Sequence, residues 1–351
     1  MRQWLERRPA PARLALTLAA ALAAALACER LRVPLPWMIG PLLATALAGV
    51  GGLAVRASNR LRNLGQGLIG VALGLYFTPT VVGLLFTLAP AVLAGIVWAF
   101  LLGYLFYRLL LRVGGPGIDK PTAFFAAAIG GASEMAVLAE RHQGRVDRVA
   151  AAHSLRVLMV VVLIPVAYQA LGIHGADLTL PAVQDVRWPG LAVLLVAAAG
   201  GIFALQALGA PNPYVLGALA ASAALTAGGV ALSALPRPAG NAGQLFIGVA
   251  LGARFTPAFA HAAPRWLASV AGGTLVMIGA SAVYAGVVAQ LAGLHPATVL
   301  LATAPGGIAE MCITAKVLQL GVPVVTVFHV VRYVAVLTLT APLYRWEIGR
   351  R

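Results

Sequence analysis

Strongly apolar, uncharged stretches alternate with short polar gaps along almost the whole chain. Twelve such elements can be recognised, and they form two consecutive sets of six. Because most are close to the roughly 20 residues that cross a bilayer as a helix, the pattern predicts an all-α integral membrane protein. The first set covers residues 14–28, 35–55, 64–77, 90–111, 121–139 and 149–171, and the second covers 190–208, 213–232, 242–255, 266–291, 297–319 and 322–344.

Two elements in each set depart from an unbroken span. The elements at 64–77 and 242–255 are short for a transmembrane helix, and those at 121–139 and 297–319 are interrupted by a Gly-Gly pair. Short or glycine-interrupted segments at corresponding positions of two halves are typical of the binding site of a transporter. We therefore expect any functional site near these elements.

The two sets are copies of one sequence unit. The segment from Gly65 to Pro79 aligns with that from Gly243 to Pro257 with 11 identical residues of 15, including a shared Gln and a shared Phe-Thr-Pro. Similar composition alone does not produce such matches, so they indicate an internal repeat. We predict a first membrane repeat at 1–172, a linker at 173–189 and a second repeat at 190–351.

A second motif recurs at nearly the same spacing. The segment from Gly130 to Met135 matches that from Gly306 to Met311 as Gly-Gly-x-x-Glu-Met. In each copy a His follows 19 residues after the Glu and an Arg three residues later; these are His153 and Arg156, and His329 and Arg332.

Composition supports the membrane prediction and limits the role of charge. Apolar residues make up 61% of the chain and charged residues only 10%, well below the quarter or so of a soluble protein. The formal net charge is +15, but the basic residues lie almost entirely in the gaps between apolar elements. That distribution is typical of cytoplasmic loops under the positive-inside rule, so we expect a multi-pass membrane protein and no nucleic-acid partner.

The Gly-Gly elements determine whether the repeats are parallel or inverted. If all six elements of a set cross, the chain has twelve spans and parallel repeats; if each Gly-Gly element is a re-entrant hairpin, each copy crosses five times and the second is inverted. With cytoplasmic termini, the hairpin arrangement places three more basic residues inside, so the positive-inside rule favours it while leaving twelve spans open. Compared with twelve spans, the hairpin arrangement places five more arginines on the cytoplasmic side, namely Arg141, Arg145, Arg148, Arg254 and Arg265. It places two on the outer side instead, Arg187 and Arg237.

Only two of the ten carboxylates lie inside apolar elements, Glu134 and Glu310. An ionisable group at membrane depth is costly and usually marks a function or a buried ion pair. Each follows a glycine pair, Gly130–Gly131 or Gly306–Gly307, where a half-helix would begin and its free N–H groups favour negative charge. Both glutamates are therefore candidate ion-binding residues; alternatively, each is tied to the arginine downstream.

The histidine and arginine of each copy are three residues apart and share one helix face. An arginine within a span has to face the protein interior, where Arg156 and Arg332 would pair with the glutamates or bind an anion. For His153 and His329, a satisfied hydrogen bond inside the membrane and a proton relay are both open. Tyr333 has no hydroxyl-bearing twin in the first repeat, an asymmetry that either sets substrate preference or has no functional meaning.

Each short element carries an amide near its start and a Thr-Pro at its end. Gln66 and Gln244 are the amides, and Thr78-Pro79 and Thr256-Pro257 are the ends. Proline breaks a helix and frees carbonyls that can hold a cation, so these glutamines are candidate site residues. Loop capping explains the Thr-Pro pairs equally well.

The sequence gives little support to enzymatic chemistry. Walker-type and His-Glu-x-x-His sequences are absent, and the two cysteines, Cys28 and Cys312, have no Cys-x-x-Cys spacing. We therefore expect no ATP-driven transport by this chain alone, no metal centre, no cofactor and no enzymatic activity.

The sequence resembles the AbrB family of bacterial membrane proteins, which is known for a duplicated membrane domain. The resemblance covers nearly the whole chain and is carried by Pro36 to Pro41, by Gly65 to Pro79 with its copy, and by the two Gly-Gly-x-x-Glu-Met segments. Members of that family are called both regulators of gene expression and ammonia monooxygenases. The plan of five plus five spans with hairpins is also similar to that of citrate and glutamate carriers, an architectural analogy.

The sequence as a whole predicts a secondary transporter or exporter of a small, anionic organic solute, driven by protons or sodium. In this hypothesis Glu134 and Glu310 bind the coupling cation, Arg156 and Arg332 bind the anion or the glutamates between turnovers, and the glycines form hairpin tips. The alternative is a membrane-embedded regulatory or sensor protein without net transport. A homodimer is compatible with either function.

Overall fold

The computed structural model describes residues 9–115, 117–175, 181–257, 259 and 264–349. Every regular element within these ranges is a helix, so the predicted all-α class is confirmed for them. Residues 176–180 of the predicted linker and the two termini, 1–8 and 350–351, lie outside the described residues. The helices are α1 Ala10–Arg30, α2 Pro36–Val50, α3 Asn59–Gly74, α4 Pro79–Thr87, α5 Ala89–Val113, α6 Lys120–Ala127, α7 Ala132–Arg141, α8 Val146–Ala170, α9 Trp188–Ala207, α10 Pro213–Ala227, α11 Arg237–Gly252, α12 Pro264–Ala292, α13 Pro296–Thr303, α14 Ile308–Val317 and α15 Val322–Gly349.

Six of the described helices are long and apolar enough to cross a membrane, namely α1, α5, α8, α9, α12 and α15. They are the first, fourth and sixth predicted elements of each repeat. The second elements, α2 and α10, are apolar helices of only 15 residues. Length and composition of the helices therefore support a helical membrane protein.

The short third element of the first repeat continues into a helix that the apolar pattern did not predict. Helix α4 begins at Pro79 and is bent by 86° from α3, and the two together are apolar enough for a seventh span. The Thr78 hydroxyl accepts a hydrogen bond from the backbone N–H of Val81 (3.4 Å), as an N-terminal capping residue does. This contact supports the capping interpretation of the Thr78-Pro79 pair.

Both elements with a Gly-Gly pair are broken at that pair, as predicted. Helix α6 ends at Ala127 and α7 begins at Ala132, while α13 ends at Thr303 and α14 begins at Ile308. The intervening residues leave the helical conformation, so each break exposes one helix C-terminus and one helix N-terminus.

The chain forms two compact units that both draw on the first and second halves of the sequence. Contacts therefore group the helices differently from the two sequence repeats. One unit comprises the described residues of Met1–Phe86, Pro165–His261 and Cys312–Pro323, and the other those of Thr87–Ile164, Ala262–Met311 and Val324–Arg351.

In the first unit, helices from the two halves are packed against each other through glycines. Helix α3 packs on α10, and α11 packs on α2. A Cβ on Gly74 of α3 would overlap the Ser222 hydroxyl of α10, and a Cβ on Gly252 of α11 would overlap the Thr45 hydroxyl of α2. Small residues let membrane helices approach this closely, so van der Waals packing can hold them together without a hydrophobic driving force.

The second unit contains both helix breaks. Its core lies among α5, α6, α7, α8, α12 and α15 and includes the fully buried side chains of Tyr107, Phe125, Met135 and Trp266. The Trp266 indole N–H donates to the carbonyl of Arg148 at 3.2 Å, which satisfies its one polar group. This packing fixes α6 and α7 beside α8, the helix that carries His153 and Arg156.

Candidate functional site

The two candidate glutamates lie in the first turns of the half-helices that follow the breaks. Glu134 is the third residue of α7, and Glu310 is the third residue of α14. A Cβ built on Gly131 or on Gly307 would overlap the carboxylate of the corresponding glutamate. Each carboxylate therefore folds back over the glycine before its helix, a position that only glycine leaves open.

The first glycine of each pair is also closely packed. A Cβ on Gly130 would lie 2.8 Å from Val336 Cγ1, and one on Gly306 would lie 2.7 Å from Met311 Cγ. Both distances are shorter than ordinary van der Waals contact. All four glycines of the candidate site thus have a packing role at the breaks.

Side chains of α8 cap the C-terminus of α6 in a buried position. His153 Nε2 is bonded to the carbonyl of Phe125 at 2.9 Å. Arg156 donates from Nη1 to the carbonyls of Ala126 (3.3 Å) and Ala127 (3.5 Å), and from Nη2 to that of Ala128 (3.0 Å). A helix leaves its last four carbonyls without an internal partner, and here this pair of side chains satisfies all four.

The second break has the same kind of cap, supplied by α15. His329 Nε2 is bonded to the carbonyl of Leu301 at 2.8 Å. Arg332 donates from Nη1 to the carbonyl of Ala304 and from Nη2 to that of Gly306, each at 2.7 Å. The arginine charge therefore lies at the C-terminal, negative end of a helix dipole in both copies.

Within each cap the arginine also determines the state of the histidine. Arg Nη2 lies 2.9 Å from His153 Nδ1 in the first copy and 2.8 Å from His329 Nδ1 in the second. A guanidinium can only donate, so Nδ1 accepts, and the neutral ring donates from Nε2–H to the carbonyl. Both ring nitrogens are occupied and both rings are at most 1% exposed, which favours the hydrogen-bonded interpretation of the histidines over a proton relay.

The start of α6 lies close to the residues that follow the end of α7. The Thr122 hydroxyl, at the start of α6, accepts a hydrogen bond from the backbone N–H of Arg145, beyond the end of α7, at 2.7 Å. Asp119 accepts from the Thr122 N–H (2.7 Å) and hydroxyl (2.8 Å) and so caps the start of α6. Phe125 and His142 stack at 5.5 Å between ring centroids. Helices α6 and α7 therefore form a hairpin whose tip is the glycine break.

Glu134 is bonded to a tyrosine from the other half of the sequence. The Tyr333 hydroxyl of α15 donates to Glu134 Oε1 at 3.0 Å. Within the part of the chain that the structure describes, Arg156 makes no ion pair with Glu134, because its Nη groups bond to helix carbonyls and to His153. Val157, the residue equivalent to Tyr333 in the first half, has no group to donate, so the two carboxylates have different surroundings.

The two candidate glutamines belong to the other compact unit. They adjoin the point where α3 and α11 approach closely, since a Cβ on Gly65 would lie 2.7 Å from the carbonyl of Gly243. Gln66 Oε1 is buried and has no hydrogen-bond partner among the described residues. The structure therefore groups ten of the candidate residues in one unit, and Gln66 and Gln244 in the other.

The described residues offer no group of three or more His, Cys, Asp or Glu side chains that could hold a metal ion. Among the described residues, the polar groups at the two breaks include the helix ends, two carboxylates, two histidine–arginine caps and one tyrosine. Groups of this kind are chemically suited to a small charged species.

Comparison with known sequences identifies the family. The model of a family described as "Transition state regulatory protein AbrB" matches residues 37–347, a range that contains every candidate residue named above. The chain belongs to the AbrB family. This AbrB-family chain is also similar to a Bacillus subtilis (strain 168) protein named "Uncharacterized protein YhjN", with 27% identity over 341 residues, covering 89% of this chain and 87% of that relative.

The capping role of the arginine predicts a local effect of the Arg156→Lys substitution. Lysine keeps the charge but lacks the planar fork that reaches three carbonyls and a ring nitrogen, so hydrogen bonds worth about 1.5–3 kcal/mol each are lost. We expect amides at the end of α6 to exchange with deuterium about tenfold faster or more, measured by mass spectrometry. Arg145→Lys, at a position whose side chain is 50% exposed, is the control and leaves this exchange unchanged. Equal exchange in Arg156→Lys and the wild type would contradict the capping role.

Proposed function

We propose that this AbrB-family protein is a secondary transporter or exporter of a small, anionic organic solute in the bacterial inner membrane, coupled to protons or sodium. One observation carries the proposal: a single compact unit contains two sequence-equivalent helix breaks, each with a carboxylate at the new N-terminus and a buried histidine–arginine cap at the preceding C-terminus. Broken helices in corresponding positions of two halves are the usual site architecture of such carriers.

Electrostatics at the breaks suit an anion together with a cation. The starts of α7 and α14 are helix N-termini, whose backbone N–H groups favour a bound anion. Glu134 and Glu310 lie in the same first turns and supply the negative charge that a coupling proton or sodium ion neutralises. Arg156 Nε is buried and has no hydrogen-bond partner among the described residues, so it is the side-chain donor that we assign to the anion at the first break.

The caps change the role that we give to the arginines. Because their Nη groups hold the ends of α6 and α13, Arg156 and Arg332 chiefly keep the breaks open and fixed. Gln66 and Gln244 have no part in this proposal because they belong to the other unit.

We further propose that the repeats are inverted, with five spans and one re-entrant hairpin each and with cytoplasmic termini. The meeting of Thr122 with Arg145 supports a hairpin, since an element that returns to its starting side gives each half an odd number of crossings. Reciprocal packing of Gly74 on Ser222 and of Gly252 on Thr45 supports a two-fold relation between the halves.

A regulatory or sensor function is the second candidate. The family description contains the words regulatory protein, which favours a protein that binds a ligand or partner without net flux. Saturable solute binding by the purified wild type, without accumulation in sealed vesicles under any imposed ion gradient, would select this candidate.

Neutralising the glutamates tests the transport site. In proteoliposomes, uptake of radiolabelled mono- and dicarboxylates under a proton or sodium gradient is compared between variants. We expect Glu134→Gln and Glu310→Gln each to reduce ion-driven accumulation about tenfold or more, because an amide cannot exchange the coupling charge. Glu140→Gln, at an exposed position later in α7, is the matched control and keeps wild-type uptake. If both site variants kept the ion-dependent flux of the wild type, Glu134 and Glu310 would not be the residues that bind the coupling cation.

The hairpin arrangement makes a topological prediction. Lys120→Cys and Arg145→Cys, at exposed positions before and after the hairpin, are made singly in a chain with Cys28→Ala and Cys312→Ala. Both cysteines should react with a membrane-impermeant maleimide added from the same side of intact cells or inverted vesicles. Labelling from opposite sides would instead establish twelve spans and parallel repeats.

A further inference from the structure

A long apolar groove runs beside the first helix break, within the unit that contains it. Its volume is about 600 Å³, and it is lined by residues of α5, of the hairpin and of α15. Ala99 and Gly103 are buried lining residues, whereas Val97, Leu101 and Leu339 line it with 67%, 47% and 46% of their side chains exposed. The groove is therefore open along a face that is apolar enough to lie against lipid.

Part of the groove lies beside the first helix break, and the lining residues of the hairpin tip are apolar. Ala128 and Ile129, which precede the glycine pair, line it together with Val336. Val336 is the residue that packs against Gly130, and a Cβ on Gly103 would lie 3.5 Å from the carbonyl of Ala127. A molecule in the groove would thus touch the segment whose carbonyls Arg156 caps.

Another part of the lining is polar, and charges of both signs are found there. Tyr104, Trp346 and Glu347 line it. Arg108 donates from Nη1 to the Tyr104 hydroxyl at 2.9 Å, with its guanidinium 5.8 Å from the centre of that ring, and it interacts electrostatically with Glu347. Tyrosine, tryptophan and arginine together are typical of the level of lipid headgroups.

The lining residues on α15 span about the depth of one bilayer leaflet. Helix α15 contributes lining residues from Val336 to Glu347, a rise of about 16 Å at 1.5 Å per residue. Half of a hydrocarbon core about 30 Å thick is close to this value. An apolar groove lined over this depth, with an aromatic and charged group at Tyr104, Trp346 and Glu347, fits an amphiphile with a long chain better than a small solute.

We propose that this groove is a specific site for one phosphatidylethanolamine molecule. An acyl chain lies between α5 and α15 and ends at Ala128 and Ile129, beside the first helix break. The headgroup phosphate is bound by Arg108 and Tyr104, and its ammonium group faces Glu347, because the mouth offers one guanidinium and one carboxylate to a zwitterion. The site requires that the chain lies in a bilayer but does not require that it transports a solute.

Native mass spectrometry of the full-length, delipidated protein titrated with phosphatidylethanolamine tests this site. We expect one tightly retained lipid per chain with saturable occupancy. Gly103→Leu fills the groove and should weaken retention about tenfold or more, which corresponds to about 1.4 kcal/mol. Gly272→Leu is the matched control, since a Cβ there meets no atom within 4 Å, and it should bind as the wild type does. Val97→Trp, at the exposed rim, repeats the test if Gly103→Leu fails to fold.

Recognition of the lipid headgroup is tested by substituting two arginines of α5 in the same binding measurement. Arg108→Gln should weaken retention severalfold, whereas Arg112→Gln, an exposed arginine one turn later, should leave it unchanged. Inorganic phosphate and phosphorylethanolamine without a chain should not displace the lipid. Equal retention by the wild type, Gly103→Leu and Val97→Trp, or lipid binding that never saturates, would overturn the proposal.

Discussion

Unpaired carbonyls at a broken helix are the constraint on which this structure depends. Where water is scarce, each free carbonyl is costly, and a break in a helix frees several at once. The chain meets this need with a buried His-x-x-Arg pair from the long helix that ends each half, so His153 and Arg156 close α6 as His329 and Arg332 hold the end of α13. The glycine breaks are therefore stable features of the fold.

Local capping also places opposite charges at opposite sides of each break. Each arginine faces the negative end of one half-helix, and each glutamate lies at the positive end of the next. Arg156 is held by carbonyls and Glu134 by the Tyr333 hydroxyl, so the first carboxylate is positioned independently of the arginine charge. The proposed transport cycle requires a carboxylate that exchanges a cation while the break keeps its shape, and this arrangement is compatible with that requirement.

Much of this arrangement follows from the sequence. Apolar spacing predicts all six long helices, and the Gly-Gly pairs predict both breaks, because these signals are local. Helix α4 was not predicted from the sequence, because its nine residues, which begin at Pro79, belong to an apolar stretch without a polar gap to mark a separate helix. The caps were not predicted, because a His-x-x-Arg pair alone does not reveal that a helix end 28 residues earlier lies within reach. The bond from Tyr333 to Glu134 joins residues 199 positions apart and depends on tertiary packing alone.

The central claim is that the protein transports ions and a solute across a membrane through a site at the two helix breaks. Measuring net charge movement by the wild-type protein tests this claim most directly. Proteoliposomes on a solid-supported membrane would be exposed to a jump in organic-anion concentration, with and without an imposed proton or sodium gradient. The account predicts a sustained current that saturates with the anion and collapses when the ion gradient is dissipated. Saturable anion binding with only a brief binding current, unaffected by either gradient, would contradict it.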